Sequence, residues 1–307
     1  MPKMYDYEWW PQDIPYEQDV QHASAFRSGI EFLRKSTGTL VVSNSTFDGD
    51  AVPAAKAWHN AIGKTLHVVG PVSTPMPIDK TSAPDDVDVF LDRMVVERGN
   101  KSVIYISFGT VYWPPHSDRV WALLNTLSEA RKPFLLSYSG LGGPFPADKM
   151  AQYERNGEAL LRQWTRQEVV LGHPAVGWFL THAGWNSMQE ALFSSVPMIL
   201  WPLAVDQPSN AAIAAHIHHV AIELTNVRTG AHGTRLPYHC RTNIEPPDFS
   251  VPGVRKEICS VLVRITSDEG VQIRNNVQAL SEKLHSSVMN DGEARRELRE
   301  FLDTYNI

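Results

Sequence analysis

One 44-residue stretch, Trp164 to Gln207, constrains the fold of this chain more than any other. An apolar run from Val176 to Leu180 leads through Thr181, His182, Ala183 and Gly184 into Trp185, Asn186 and Ser187. A segment with helical spacing, carrying Glu190, comes next, and a second apolar run ends at Asp206 and Gln207. The order is strand, glycine-containing turn, helix, strand, polar loop. In such a unit the helix N-terminus offers unpaired amides to an anion.

The same alternation runs along the rest of the chain. Helical spacing predicts helices over Phe26–Lys35, Ala51–Ile62, Asp85–Arg98, Ser117–Ala130, Asn156–Gln163, Pro208–His219, Val254–Thr266, Gly270–Val288 and Glu293–Tyr305. Short β-rich runs predict strands over Thr39–Ser43, Leu66–Gly70, Ser102–Ser107, Pro133–Ser137, Glu168–Leu171 and Val220–Leu224. Residues 1 to about 20 read as irregular, and the Pro/Ser/Asp-rich Pro71–Pro84 as a linker. Strands alternating with helices mean an α/β protein with a parallel sheet covered on both faces.

Composition excludes several classes. The 307 residues, 43% hydrophobic, are enough for a large core and more than one domain. Asp plus Glu (34) exceed Lys plus Arg (28), and no basic cluster stands out, so a nucleic-acid surface is not expected. The two cysteines, Cys240 and Cys259, read as reduced thiols, and no zinc-type spacing surrounds them. No apolar run reaches the length of a membrane span, and the first residues lack the apolar core of a signal peptide, so a cytoplasmic location is expected.

Individual side chains in the central stretch each admit a plain reading and a chemical one. His182, at a strand end, is either a satisfied core imidazole or a donor to a phosphate oxygen. Asn186 and Ser187 fall where an N-cap and first helical turn belong, positions that also suit an anion. Glu190 is a first-turn carboxylate or an acceptor for two ribose hydroxyls. Trp164 packs in a core or stacks on a base, with the Thr165 backbone near the base edge. Asp206 and Gln207 make a turn before Pro208 or hold sugar hydroxyls, since ligands of open α/β sheets bind beyond the carboxyl ends of strands. Ser107, Gly109 and Thr110 end another strand, and Gly109 would let backbone approach a phosphate.

Taken jointly, these positions carry a resemblance. Trp164–Gln207 resembles the signature box of family 1 UDP-glycosyltransferases, with W-x-x-Q, then H-P-A-V-G-x-F-x-T-H-x-G-W-N-S-x-x-E, then P-M-x-x-W-P-x-x-x-D-Q, every position filled. SNSTFD (Ser43–Asp48), VVGP (Val68–Pro71) and SFGT (Ser107–Thr110) are similar to further family landmarks in the expected order, and VRTG (Val227–Gly230) resembles fungal members. The resemblance implies a GT-B fold. It implies that Trp164 and Thr165 hold uracil, that Gln167 supports the nucleoside side, and that Glu190 takes the ribose. It implies that His182, Asn186, Ser187, the Gly184 turn and Thr110 bind the diphosphate, and that Trp185, Asp206 and Gln207 contact the sugar. Gln207 leans the donor toward UDP-glucose.

The resemblance also implies an arrangement of parts. Residues 1–84 match the tail and linker of an N-terminal acceptor domain, 85–290 a UDP-sugar donor domain, and 291–307 a C-terminal helix. Roughly two hundred residues of a typical N-terminal domain are expected to be missing, and with them the general base, so no catalytic residue is assigned. No metal site and no cofactor beyond the UDP-sugar substrate are expected. The tail is expected to hold too few strands for a sheet of its own, and the C-terminal helix to leave an apolar face exposed. The implied activity is inverting transfer of a hexose from the UDP-sugar to a hydroxyl of a small lipophilic acceptor. The alternative is a non-catalytic nucleotide-sugar-binding module, or the donor subunit of a split enzyme working with a separate acceptor-binding half.

Overall fold

The computed structural model describes residues 2–13, 16–70, 84–138, 146–242 and 245–307. It divides into two compact units, one built mainly from residues 14–74 and 279–307, the other from 2–13 and 75–278. The expected linker lies almost wholly outside the described residues.

The smaller unit begins with a helix, Tyr16–Lys35, that starts ten residues before the predicted one. Its strands β1 (Gly38–Val41) and β2 (Thr65–Val68) pair in parallel, with Gly38 opposite Thr65 and Val41 opposite Val68. This corrects the expectation of no separate sheet. A two-stranded ribbon is marginal alone, and here it is covered. Val52 and Ala55 of the Ala51–Ala61 helix pack on Leu66, Val68 and Val41. The C-terminal helix Glu293–Tyr305 lies along β2, where Tyr305 and Thr65 share a hydroxyl hydrogen bond of 3.1 Å. Glu297 accepts from the Val68 amide at 3.3 Å and pairs with Lys56. The helix therefore keeps no large apolar side chain bare, against expectation. Among the described residues, the exposed large apolar side chains of this unit sit outside that helix: Ile30, Phe32, Leu40, Trp58, Ile62, Met289 and Ile307.

The larger unit holds six parallel strands, β3 (Val103–Ser107), β4 (Phe134–Ser137), β5 (Ala159–Arg162), β6 (Val176–Thr181), β7 (Met198–Leu200) and β8 (Ala221–Glu223), in the order β5-β4-β3-β6-β7-β8. Every residue of β3 and β6 is buried. Since successive side chains point to opposite faces, both faces are covered, and the two strands read as near-continuous apolar runs for that reason. Gly177 lets β6 pass close to Lys101, because a Cβ there would overlap the Lys101 backbone.

Two short elements reverse the sequence reading. Asn156–Gln163, predicted as a helix, contains β5, whose Ala159, Leu160 and Leu161 pair with Phe134, Leu135 and Leu136. Its apolar run is too short to distinguish helix from strand by period. Glu168–Leu171, predicted as a strand, belongs to the helix Gln167–Leu171, closed by Gly172 donating to the Glu168 carbonyl at 3.0 Å. The helix Ala147–Glu154 had no prediction. Residues 6–9 form a 3-10 turn within the N-terminal segment of the larger unit, where the Thr229 amide donates to the Pro11 carbonyl at 2.9 Å and the Tyr238 amide to Glu8 at 3.0 Å. Among the described residues, no helix is long and apolar enough to cross a membrane.

Candidate functional site

The strand order reverses between β3 and β6, and a crevice opens beyond their carboxyl ends, where open α/β sheets bind ligands. A cavity of about 370 Å³ lies there. It gathers thirteen of the fourteen residues picked from the sequence: Ser107, Gly109 and Thr110 after β3, Trp164, Thr165 and Gln167 around the turn after β5, His182, Gly184, Trp185, Asn186 and Ser187 after β6, and Asp206 and Gln207 after β7. Glu190 does not line the cavity. It stands behind Gln167, whose amide donates to it at 2.7 Å and to the Ser187 hydroxyl at 3.1 Å. Burial raises the Glu190 carboxyl above its usual range; the Gln167 amide lowers it and Glu168 raises it again.

The turn after β6 is built around one imidazole. Gly109, at φ +78°, would place a Cβ 2.8 Å from His182 Cε1 and 2.9 Å from Nε2, and a Cβ on Gly184 would overlap Nε2. Both glycines are needed for this packing, the first also for its left-handed backbone. Between them Ala183 takes φ +67°, an uncommon value for a residue with a Cβ. The Thr181 hydroxyl lies 3.2 Å from His182 Nδ1. Burial pushes the imidazole down to about 4, with Asp206 pulling the other way. At neutral pH His182 is therefore uncharged, with one ring N–H to donate.

The helix after this turn is Trp185–Phe193, and its N-cap is Gly184. This corrects the placement of the cap at Asn186, which is the second helical residue. No side chain caps the helix at Gly184, and Trp185, Asn186 and Ser187 of its first turn line the cavity. Asn210 ties the turn to the next loop, donating to the Ala183 carbonyl at 3.0 Å and to Asp206 at 2.7 Å.

Gln207 has a second, structural tie that the sequence did not show. It is buried, and its side-chain oxygen accepts from the backbone amides of Leu203 (2.8 Å) and Ala204 (3.0 Å). Its amide nitrogen remains for a ligand. Trp164 is 71% exposed, which decides against core packing. Thr165 is buried and bonded through its hydroxyl to Tyr105 at 2.9 Å. Burial pushes the Tyr105 phenol up to about 12, so it stays protonated. Tyr105, Val111, Tyr112, Ser137 and Gln163 also line the cavity and were missed. Ser137 had a readable signal, since it ends β4 as Ser107 ends β3.

The His182 environment has a measurable signature. The folded imidazole titrates near 4 against an ordinary 6.5. Between those values the unfolded chain binds the extra proton, so stability falls as pH drops from about 6.5 toward 4. His182→Gln should lose part of this slope. Thermal midpoints of both proteins, measured across that range, should differ by several degrees more at pH 4.5 than at pH 7. Parallel curves would show that the folded imidazole is solvated.

Residues 81–230 match the family model described as UDP-glucoronosyl and UDP-glucosyl transferase. The chain is 30% identical to UDP-glycosyltransferase eriJ of Hericium erinaceus, over 98% of this chain and 60% of that protein. It is 34% identical to flavonoid 3-O-glucosyltransferase of Medicago truncatula, over 70% of this chain and 45% of that one. A transferase from Siraitia grosvenorii, solved with UDP, superposes with a TM-score of 0.70 at 21% identity, covering 94% of this chain and 60% of that one. That likeness shows the fold, the α/β GT-B type expected from the sequence. The chain spans 45% to 60% of the length of these three proteins. The segment matched by that family model, residues 81–230, contains every residue that lines the cavity, and it is the same family that the sequence resembles.

Proposed function

We propose that residues 85–290 form a donor domain that holds a UDP-sugar in the β3/β6 crevice, and that the chain is the donor-binding part of an inverting UDP-glycosyltransferase. The observation that carries this reading is the convergence, in one cavity, of an exposed indole, a neutral imidazole donor and an uncapped helix N-terminus, with a carboxylate one hydrogen bond behind.

In this reading Trp164 stacks on uracil, and the Thr165 backbone meets the base edge. Glu190 takes the ribose hydroxyls, exchanging its bond to Gln167 for them. His182, Thr110, Asn186, Ser187 and the first turn after Gly184 bind the diphosphate. Neutral donors fixed at that point stabilise charge as it develops on the leaving UDP. Trp185, Asp206 and the Gln207 amide face the sugar, a hexose that we take to be glucose. The acceptor is a small lipophilic molecule with a hydroxyl group.

Attack by that hydroxyl needs a base to remove its proton. His182 is placed to donate toward the phosphates, and we assign the base to an acceptor-binding part outside these residues. No step of the proposed reaction is routed through a metal or a further cofactor.

Calorimetry of UDP and UDP-glucose with the purified chain tests the reading. Saturable binding is expected, and Trp164→Ala should weaken it by roughly 5- to 100-fold, the range for loss of one base–aromatic stack. A folded chain that binds neither ligand would overturn the proposal.

A further inference from the structure

A second cavity, of about 740 Å³, lies at the β8 edge of the larger unit. Its wall includes His216, Glu223, His239, Cys240 and Glu257, none of which has a part in the donor reading. His216 ends the Gln207–His216 helix, Glu223 ends β8, and His239 lies in the short turn Tyr238–Cys240. One ligand atom from each of the three falls within 4.8 Å of the others. We propose that His216, Glu223 and His239 form a binding site for a divalent first-row transition ion of the zinc type.

Three features support it. First, the spacing suits a metal. His216 Nε2 and Glu223 Oε2 are 3.2 Å apart, and two donors each about 2.0–2.1 Å from a tetrahedral zinc lie roughly 3.3 Å from each other. The two imidazole rings stand with centroids 4.5 Å apart and planes tilted by 33°. Second, the carboxylate is oriented from behind. Arg228, fully buried, donates to Glu223 Oε1 at 2.9 Å, which leaves Oε2 toward the histidines. Glu8 lies 3.9 Å from the same guanidinium and offsets its charge. Such outer partners fix ligand orientation in metal sites. Third, the donor set is right and access is open. Two imidazoles and one carboxylate suit zinc and its neighbours rather than calcium or magnesium. The adjoining cavity gives an ion a way in and leaves room for water in a fourth position.

The sequence reading expected no metal site, because the ligands stand 7 and 16 residues apart on three different elements and match no recognised spacing. A bound ion would fasten the Tyr238–Cys240 turn to the sheet edge and to the end of the Gln207–His216 helix.

The test uses the whole chain after removal of metal by a chelator. Titration with Zn²⁺ should show one stoichiometric site, and Co²⁺ should give the intense visible bands of a four-coordinate ion. His216→Ala and His239→Ala should each lower Zn²⁺ affinity by about 10-fold or more and abolish the Co²⁺ bands. Zn²⁺ should raise the thermal midpoint of the unaltered chain and not that of His239→Ala. Glu223→Ala would strand Arg228, so the histidine variants carry the test. Absence of Zn²⁺ binding by the folded chain, or equal affinity in all three proteins, would overturn the proposal. Neither result bears on UDP binding, which reports on the other cavity.

Discussion

Glu190→Ala should lower UDP affinity by about one to two orders of magnitude while leaving the fold intact. A hydrogen bond to a charged acceptor contributes about 1.5–3 kcal/mol, and each 1.4 kcal/mol is tenfold in affinity. The residue removed does not hold the site together. Its partner Gln167 keeps a second acceptor, the Ser187 hydroxyl at 3.1 Å. The sharper measurement compares UDP with 2′-deoxy-UDP by calorimetry. The unaltered chain should discriminate strongly between them, and Glu190→Ala should bind both about equally. If the variant still prefers UDP by the original factor, the carboxylate does not contact the ribose and the assignment fails.

Gly109→Ala should damage both stability and ligand binding, and by a route that can be checked. At φ +78° a side chain is strained by roughly 1–2 kcal/mol. The added methyl also meets the His182 ring at 2.8 and 2.9 Å, closer than a carbon atom tolerates, so the imidazole must move. The thermal midpoint should drop by several degrees, and UDP-glucose affinity should fall by about tenfold or more as the phosphate donor leaves its place. The double variant Gly109→Ala/His182→Ala should recover part of the lost stability, because the clash is gone and only the backbone strain is left. Additive losses would place the imidazole elsewhere.

Much of this was legible in the chain. Buried parallel strands announce themselves as apolar runs, which is why β3 and β6 were placed within a residue of their bounds. The polar residues that end those strands were legible for the same reason: the sheet delivers them to one edge. Period fails where elements are short. Ala159–Arg162 and Gln167–Leu171 are four and five residues long, and neither length nor spacing separates strand from helix there. Capping was misread because Gly184 caps without a side chain, leaving Asn186 as the more attractive candidate. The role of Gln207 was half legible. Its position beyond β7 follows from the strand, but the bonds to Leu203 and Ala204 depend on a loop path that no local pattern encodes. Tyr105 was hidden among the apolar residues of β3, where a phenol differs little from its neighbours.

The two bonds accepted by Gln207 bear on how a site of this kind can change over generations. In the proposed reading the residue that meets the sugar is also the brace of the loop that carries it. A drift to leucine or alanine would leave two backbone donors stranded, each costing about 1–3 kcal/mol. Shifts in donor preference at this position are thereby filtered through loop integrity before any selection on chemistry acts. Neighbouring Asp206 is exposed and its carboxylate accepts from the Asn210 side chain at 2.7 Å; its loss strands no backbone donor, and it is the freer position for divergence.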